Sequence, residues 1–410
     1  MEQQIIFWVI IAILLFDFLF EKVLDYLNYT HSKETVPEEL KGIYDEEKYK
    51  KSQQYQKVNL RFSLVTSTFS LFLMLAVLFT GAFGILDEWV RSVTDSLYLR
   101  TLLFFGVLGL VFDLLSLPFQ LYDTFVIEER FGFNKTSPKT FLIDKLKSWL
   151  LSLIIGGGIL LFIQWAWQST GVWFWVIVTS GLSAFMIFMA MFYTQLIVPL
   201  FNKLTPLEEG ELKTAIYEFA TKTGFKLNNV FVINGSKRST KANAYFSGLG
   251  PKKKVVLYDT LINDLNTEEI VAVLAHEVGH HKKKHIIKGL IMSLVQSALM
   301  LWLLWLALDT PALSLAIGGK EPSFYLGIVA FGLLFSPISF FTGIISNVFT
   351  RKYEYQADAY AGKHYSGKKL IDALIKLSVK NLSNLTPHPV YVFFHYSHPT
   401  LLQRKKALER

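Results

Sequence analysis

The stretch His276-Glu277-Val278-Gly279-His280 combines the residue types and the spacing of a metal-dependent hydrolase. Two histidines four residues apart on a helix project from one face, so both imidazoles can bind one Zn²⁺ ion. Glu277 follows the first histidine and lies within reach of the water molecule that the metal activates, where a carboxylate acts as general base. The spacing predicts a zinc peptidase with one Zn²⁺ per chain, in which His276 and His280 are ligands and Glu277 is the base.

The residues that precede this motif predict the helix that it requires. Thr267 is suited to the N-cap position, and Glu268 and Glu269 place negative charge in the first turn. Apolar residues at helical spacing then continue into the motif, so the histidines are predicted to lie well inside a buried helix. The alternative is a pair of histidines satisfied by local hydrogen bonds, without a metal.

A catalytic zinc site takes a third protein ligand and keeps one position for water. The pattern with a third histidine ten residues after the first is excluded, because Ile286 stands there. The chain has no cysteine, which leaves His, Asp and Glu as possible ligands. Glu354 and Asp358 lie four residues apart on a segment of helical character, so we predict that Glu354 completes the site and that Asp358 accepts a hydrogen bond from a ligand histidine. Both acids could instead pair with Arg351 or Lys352.

Two further histidines, His281 and His285, follow the motif closely. On an uninterrupted helix their side chains point away from the face that holds His276 and His280. We therefore interpret the run from His281 to His285 as a basic helix end at a membrane surface.

The composition indicates a membrane protein, because 52% of the 410 residues are apolar and 15% are aromatic. The first apolar segment has no basic region before it and no cleavage site after it, so we interpret it as a retained anchor. The predicted fold class is a mainly α-helical membrane protein with seven transmembrane helices and a cytosolic zinc-peptidase α/β subdomain. Seven segments are long and apolar enough to span a bilayer: 4–20, 62–86, 101–122, 149–168, 172–200, 289–308 and 324–346.

Lys and Arg alternate between the loops that join these segments, being abundant in every second loop and rare in the others. By the positive-inside rule this pattern predicts an N-terminus outside and a C-terminus in the cytosol. The net charge of +8 lies in the predicted cytosolic loops, where anionic membrane lipids are the nearest partners, so no nucleic acid partner is expected. The absence of cysteine and the short outer loops favour a bacterial inner membrane, or the endoplasmic reticulum membrane if the chain is eukaryotic.

We expect four regions along the chain. Residues 1–202 hold spans one to five with their cytosolic loops, 203–285 form the cytosolic metalloprotease unit, 286–350 hold spans six and seven, and 351–410 form a cytosolic helical segment with the third zinc ligand.

Residues 203–285 are predicted to form a short antiparallel sheet beside the motif helix. An exposed sheet edge binds an extended peptide by backbone hydrogen bonds, and Asn243 and Tyr245 are the candidate substrate-binding residues on such an edge. Asn243 could instead be a polar residue on an exposed strand face. The expected elements are a helix near 207–224, strands at Val230–Ile233, Ala242–Phe246 and Lys254–Tyr258, and a turn at 248–254.

Four motifs together resemble the integral-membrane zinc metalloproteases called CAAX prenyl protease type I. They are HEVGH at 276–280, KYEYQADAYA at 352–361, NAYF at 243–246 and HYSHPTLLQR at 395–404. The stretches LPFQLYDTFVIEERFGFNK at 117–135 and IVPLFNKLTPL at 197–207 are similar to signature stretches of the same family. The likeness extends over nearly the full chain.

The resemblance implies a barrel of seven membrane helices around a water-filled chamber, with the zinc site at its cytosolic end. It implies a lipidated peptide or protein substrate of the CAAX type, from which C-terminal tripeptides are removed. The implied roles are zinc binding by His276, His280 and Glu354, base catalysis by Glu277, ligand orientation by Asp358, substrate binding by Asn243 and oxyanion stabilisation by His398.

His398 precedes Pro399 and a predicted helix at 400–410, where an imidazole donor could face developing negative charge. Arg404 is predicted to hold this segment at the site by pairing with an acid and to contribute to substrate binding, although a structural surface role is an alternative. Two other functions are compatible with parts of the pattern. One is a quality-control protease for misfolded membrane proteins, and the other is a transporter without catalysis, which would have no use for Glu277.

Overall fold

A computed structural model describes residues 1–32, 35–41, 45–227, 229–247 and 254–410, without the side chains of Phe246 and Ser247. The fold is mainly helical, as predicted. The helices before the sheet are α1 (Glu2–His31), α2 (Glu46–Phe79), α3 (Ala82–Val93), α4 (Leu97–Tyr122), α5 (Pro138–Leu151), α6 (Gly157–Thr170), α7 (Phe174–Leu196) and α8 (Val198–Phe201).

The sheet and the C-terminal half follow these helices. The strands are β1 (Leu204–Pro206), β2 (Val230–Ile233), β3 (Ala244–Ser247) and β4 (Lys254–Tyr258). The remaining helices are α9 (Glu211–Lys222), α10 (Asp259–Asp264), α11 (Thr267–Lys282), α12 (His285–Leu308), α13 (Pro311–Ala316), α14 (Phe324–His364), α15 (Gly367–Lys380), α16 (Pro389–His395) and α17 (Leu401–Leu408).

Six helical stretches of the described chain are long and apolar enough to cross a membrane. The fourth, Pro138–Phe201, has 64 residues, about 96 Å if it were one straight helix, and so is far too long for a single span. It turns at Gly171, whose positive φ of 53° separates α6 from α7, and these two helices pack against each other. The stretch therefore supplies two crossings, which gives the seven spans expected from the sequence.

These spans close a ring. Phe62 and Phe69 of α2 contact Phe119 of α4, which joins two neighbours in the ring. The other contacts pair α4 with α6, α6 with α7, α7 with α12, α12 with α14, α14 with α1 and α1 with α2. Seven helices in a closed ring leave a chamber between them, so the predicted architecture is confirmed.

Polar side chains inside the spans indicate that the chamber contains water. Asp113 lies within α4, yet its side chain keeps 28% of its surface exposed. Its carboxylate pairs with Lys145 at 2.6 Å and accepts a hydrogen bond from Trp149 Nε1 at 2.8 Å. An accessible charge at this depth faces water or protein rather than hydrocarbon.

The sheet is mixed, with the strand order β1-β2-β4-β3. The predicted strands Val230–Ile233 and Lys254–Tyr258 are found with the same bounds, but they pair in parallel, so the expectation of an antiparallel sheet is wrong for this pair. The reason is the long connection between them, which returns to the same end of the sheet and places β3 on the outer edge. β3 and β4 are antiparallel, as expected.

Three details of this region differ from the sequence-based expectation. The helix expected near 207–224 is the shorter α9, and β3 begins two residues later than predicted. The short strand β1 was not predicted, because three residues that end in Pro206 carry too little pattern. The predicted turn at 248–254 lies largely outside the described residues.

Helix α11 carries the HEVGH motif, and a capping box fixes its start. Asn266 accepts from the backbone N–H of Glu269, and the Glu269 carboxylate accepts from the backbone N–H of Asn266, both at 2.9 Å. The N-cap is therefore Asn266, so the prediction of Thr267 is wrong by one residue. Nine of the sixteen residues of α11 are buried, because the sheet, α14 and α15 surround this helix.

Gly279, inside the motif, allows α11 and α14 to touch. A Cβ atom at this position would lie 3.0 Å from Ala357 Cα and 3.0 Å from Tyr360 Cβ. Contact of this kind favours glycine, because backbone atoms of the neighbouring helix move aside less easily than a flexible side chain does. The close approach brings the Glu354 turn of α14 to the histidines of α11.

We expect Gly279→Ala to separate these two helices and to lower the free energy of unfolding by about 1–3 kcal/mol through overpacking. Thermal unfolding of the purified protein in detergent measures this. Gly289→Ala is the control, because Gly289 lies in the neighbouring α12 and a Cβ there meets nothing within 4 Å. Equal stability of Gly279→Ala and wild type would contradict the assigned close contact.

Candidate active site

Three donor atoms from two helices converge next to the motif. His276 Nε2 lies 3.1 Å from His280 Nε2 and 3.4 Å from Glu354 Oε2, and His280 Nε2 lies 3.2 Å from Glu354 Oε1. Neighbouring ligand atoms in a tetrahedral site with bonds of about 2.0–2.1 Å lie about 3.3–3.4 Å apart. The structure therefore brings together the three residues that the sequence nominates as metal ligands, at separations that suit a small divalent ion.

The carboxylate of Glu354 tests whether a cation fits this position. Its side chain is only 4% exposed, and Oε2 is buried and accepts no hydrogen bond from the described residues, with His276 Nε2 3.4 Å away. A buried carboxylate oxygen without a partner costs free energy, which a bound cation at the junction of the three donors removes. Two imidazole nitrogens and one carboxylate form a donor set that catalytic zinc sites use.

Asp358 and Arg404 fix the orientation of His276. Asp358 Oδ1 lies 2.8 Å from His276 Nδ1, and Arg404 donates to both oxygens of Asp358, at 2.6 and 2.8 Å. Because the carboxylate accepts the proton of Nδ1, the nitrogen of His276 available to a metal is Nε2, which faces Glu354 and His280. The predicted pairing of Arg404 with an acid is thus present. Arg351 is not a partner of either acid, since it donates to backbone carbonyls near α16.

The charges in this cluster shift the pKa values of its members. Burial lowers the pKa of His276, but its pairing with the nearby carboxylates of Asp358 and Glu354 outweighs burial and raises this pKa to about 9. Burial likewise disfavours the charge of Arg404, but the bonds to Asp358 raise the pKa of the guanidinium above its usual value. A metal ion at His276 Nε2 must displace a tightly held proton, so metal binding here releases protons.

Glu277 lies beside the donor cluster without belonging to it. No hydrogen bond or ion pair to its carboxylate is present among the described residues. Burial raises the pKa of Glu277, partly offset by the nearby His276 and His280. A carboxylate whose pKa is raised accepts a proton more readily than an ordinary glutamate does, which suits a general base.

His398 reaches the site from the segment before α17. Its Nε2 lies 3.4 Å from Glu354 Oε1, and its Nδ1 lies 2.9 Å from Ser397 Oγ. Partial desolvation and the positive charge of Arg404 lower the pKa of His398, against the raising effect of Glu354, although its side chain is 59% exposed. α17 begins at Leu401 with Thr400 as its N-cap, close to the helix start expected from the sequence.

The two candidate substrate residues lie at the start of β3. Asn243 is exposed just before the strand, and its Oδ1 accepts from the backbone N–H of Ala244 at 2.8 Å. Tyr245 packs with Val198 and Val256 on the face of the sheet turned away from α11. The ring of Tyr245 therefore does not face the donor cluster on α11.

His285 is a site neighbour that the sequence interpretation missed. It is not at an exposed basic helix end but only 4% exposed, with Nδ1 3.1 Å from His280 Nδ1. The interpretation assumed an unbroken helix, whereas Lys284 adopts a left-handed conformation with φ of 58° and separates α11 from α12. No residue in the run is a glycine or asparagine, so the sequence gives no signal of this break.

Comparisons with known proteins agree with this geometry. Residues 25–203 match the family model of the CAAX prenyl protease N-terminal region with five membrane helices, and residues 206–410 match that of peptidase family M48. The chain is 36% identical to CAAX prenyl protease 1 of Saccharomyces cerevisiae over 96% of this chain and 92% of that protein. It is 33% identical to the human CAAX prenyl protease 1 homolog over 91% and 88% of the two chains.

The fold matches a solved structure as well. The crystal structure of S. mikatae Ste24p aligns with a TM-score of 0.92 at 36% sequence identity, and the alignment covers 98% of both chains. Likeness at this identity and coverage extends from the membrane helices to the donor cluster. The chain therefore belongs to peptidase family M48 and is an integral-membrane metalloprotease of the CAAX prenyl protease 1 group.

Proposed function

We propose that this protein removes the C-terminal tripeptide from prenylated CAAX-type substrates at a Zn²⁺ ion bound by His276, His280 and Glu354. The observation that carries the proposal is the buried three-donor cluster with the unpaired carboxylate of Glu277 beside it. The name shared by the relatives in yeast and human supports the substrate class.

The donor set supports zinc as the metal, because imidazole and carboxylate ligands in a tetrahedral arrangement suit this ion. When bound, zinc polarises the scissile carbonyl and lowers the pKa of a water molecule. Glu277 takes the proton of that water and passes it to the leaving amine. Its raised pKa favours the first of these steps, because the carboxylate is a stronger base than an ordinary glutamate.

His398 is the proposed oxyanion donor. With its pKa lowered, the ring is neutral near pH 7 and carries one proton. The hydroxyl of Ser397 can donate to Nδ1, which places that proton on Nε2, the nitrogen that faces Glu354. An N–H aimed at the site stabilises the negative charge that develops on the carbonyl oxygen.

The edge strand β3 is the proposed substrate platform. Its inner edge pairs with β4, and no described strand pairs with its outer edge. A peptide added there in extended form gains backbone hydrogen bonds. We propose that the side chain of Asn243 contacts the substrate. The ring of Tyr245 packs beneath the sheet, so we propose that this residue binds the substrate through its backbone groups at the edge of β3. Arg404 contributes to substrate binding indirectly, by holding the His398 segment against Asp358.

The membrane placement that we propose follows the charge pattern of the loops, with the N-terminus outside and the sheet, α11 and the C-terminal helices in the cytosol. Membrane lipids then contact the spans, a lipidated peptide is the substrate, and no nucleic acid takes part. The compartment remains a prediction, as the bacterial inner membrane or, in a eukaryote, the endoplasmic reticulum membrane. The division at 202, 285 and 350 likewise remains a prediction.

The substrate class is tested with a synthetic farnesylated peptide that ends in a CAAX sequence. We expect purified wild type to release the last three residues, a zinc chelator to stop this, and Glu277→Gln to lose activity at least about 10²–10⁴-fold while it keeps one zinc per chain. Glu268→Gln is the control, an acid on the same helix that pairs with Lys369 away from the site.

Substantial turnover by Glu277→Gln would remove this residue as the base. If wild type ignored the farnesylated peptide but cleaved unfolded, unprenylated membrane protein in a zinc-dependent reaction, the metal site would stand and the quality-control function would replace the proposed one.

His398→Ala is expected to lower kcat about 10²–10³-fold, because an oxyanion donor is lost. Zinc content should stay at the wild-type level, since His398 is not a proposed ligand. His395→Ala is the matched control, because His395 lies three residues earlier and pairs with Glu21 at 3.2 Å. Loss of zinc from His398→Ala, or an equal loss of kcat in both variants, would argue against the assigned role.

A further inference from the structure

His280, unlike His276, has no carboxylate on its second ring nitrogen. Asp358 accepts from His276, but the atom that faces His280 Nδ1 is Nδ1 of His285, at 3.1 Å. The opposite nitrogen of His285, Nε2, lies 2.9 Å from Gln356 Oε1. The three side chains therefore form a line from α14 through the start of α12 to α11.

The break between α11 and α12 makes this line possible. Residues five apart on one continuous helix differ by about 140° in direction, so their side chains do not meet. α11 ends at Lys282, and Lys284 has a φ of 58°, which turns the chain back and brings His285 against His280. A left-handed lysine is strained, and such strain persists only where the surrounding structure holds the residue in place.

The positions of the protons in this chain of hydrogen bonds follow from Gln356, the residue at its end. An amide oxygen only accepts, so Gln356 Oε1 requires the proton of His285 on Nε2. His285 Nδ1 is then an acceptor, and the proton between the two histidines belongs to His280 Nδ1. His280 is left with a lone pair on Nε2, the nitrogen that faces His276 and Glu354.

Packing holds His285 in this orientation. Its ring stacks on Tyr353 with the centroids 4.4 Å apart and the planes at 12°. Tyr353 and Gln356 lie on the same turn of α14 as Glu354, the third donor residue. The position of His280 is thus tied to the helix that supplies the carboxylate.

We propose that His285 and Gln356 are positioning residues for His280, which set its tautomer and ring orientation so that Nε2 presents its lone pair to the metal. The inference rests on the proposed zinc site and deepens it. His276 and His280 then receive their orientation by different means, one from an ion pair and the other from a neutral chain of hydrogen bonds.

The test is the zinc affinity of purified protein, measured by competition with a chromogenic chelator, together with thermal unfolding of the zinc-free protein. His285→Phe keeps the ring and its stacking on Tyr353 but removes both nitrogens. We expect zinc to bind about 10–100-fold more weakly, while unfolding of the zinc-free protein stays at the wild-type temperature. His285→Asn, whose amide oxygen can accept from His280 Nδ1, should recover most of the loss.

His364→Phe is the matched control. The ring of His364 also stacks on a tyrosine, with its centroid 4.0 Å from that of the Tyr360 ring. Its Nδ1 is paired with a backbone carbonyl and not with a proposed metal ligand. We expect this variant to bind zinc as wild type does. An equal weakening in both variants would show general loosening and would overturn the proposal.

Two further variants separate the possible failures. His280→Ala should lose zinc; if it bound zinc as wild type does, the proposed site itself would fail. If it lost zinc while His285→Phe kept wild-type affinity, only the positioning role would fail. If His285→Phe does not fold, Gln356→Leu is the test of the positioning role. Wild-type zinc affinity in Gln356→Leu would overturn the proposal.

Discussion

The bidentate pair between Asp358 and Arg404 is the interaction on which the rest of the site depends. It joins α14 to α17, and through the bond from His276 to Asp358 it also joins α11. Asp358 is 2% exposed, so its charge is stable only because both oxygens are paired. Removing one partner of such a buried pair costs about 3–5 kcal/mol, and here the loss would also release a ligand histidine and the His398 segment.

The long helix α14 explains how the site is fixed to the ring of membrane helices. Its 41 residues extend for about 60 Å, twice the hydrocarbon thickness, so one end packs in the ring of spans while the other carries Glu354, Gln356 and Asp358. Four residues make about one helical turn, which directs Glu354 and Asp358 to the same neighbour. The contact at Gly279 sets the distance to α11.

Much of this arrangement could be predicted from sequence because it is local. The spacing of His276 and His280 and that of Glu354 and Asp358 are helical periods, and strands β2 and β4 are short β-branched runs with clear ends. The spans follow from hydropathy. His398 was nominated by resemblance to a family, since an isolated histidine has no pattern of its own.

The remainder depends on tertiary contacts that leave no local trace. Parallel pairing of β2 with β4 is decided by the path of the connection between them, which strand composition does not record. The position of His285 depends on the left-handed backbone of Lys284, and nothing in a lysine-rich run distinguishes that residue from its neighbours. Both features concern where elements meet rather than which elements form.

The most direct test of the account is anomalous diffraction at the zinc edge from crystals of the zinc-loaded protein. The account predicts one strong peak per chain, about 2.0–2.2 Å from His276 Nε2, His280 Nε2 and a Glu354 oxygen, with Asp358 outside the coordination shell. A peak held by other residues, or by the two histidines without Glu354, would contradict the claim that α11 and α14 together form the catalytic metal site.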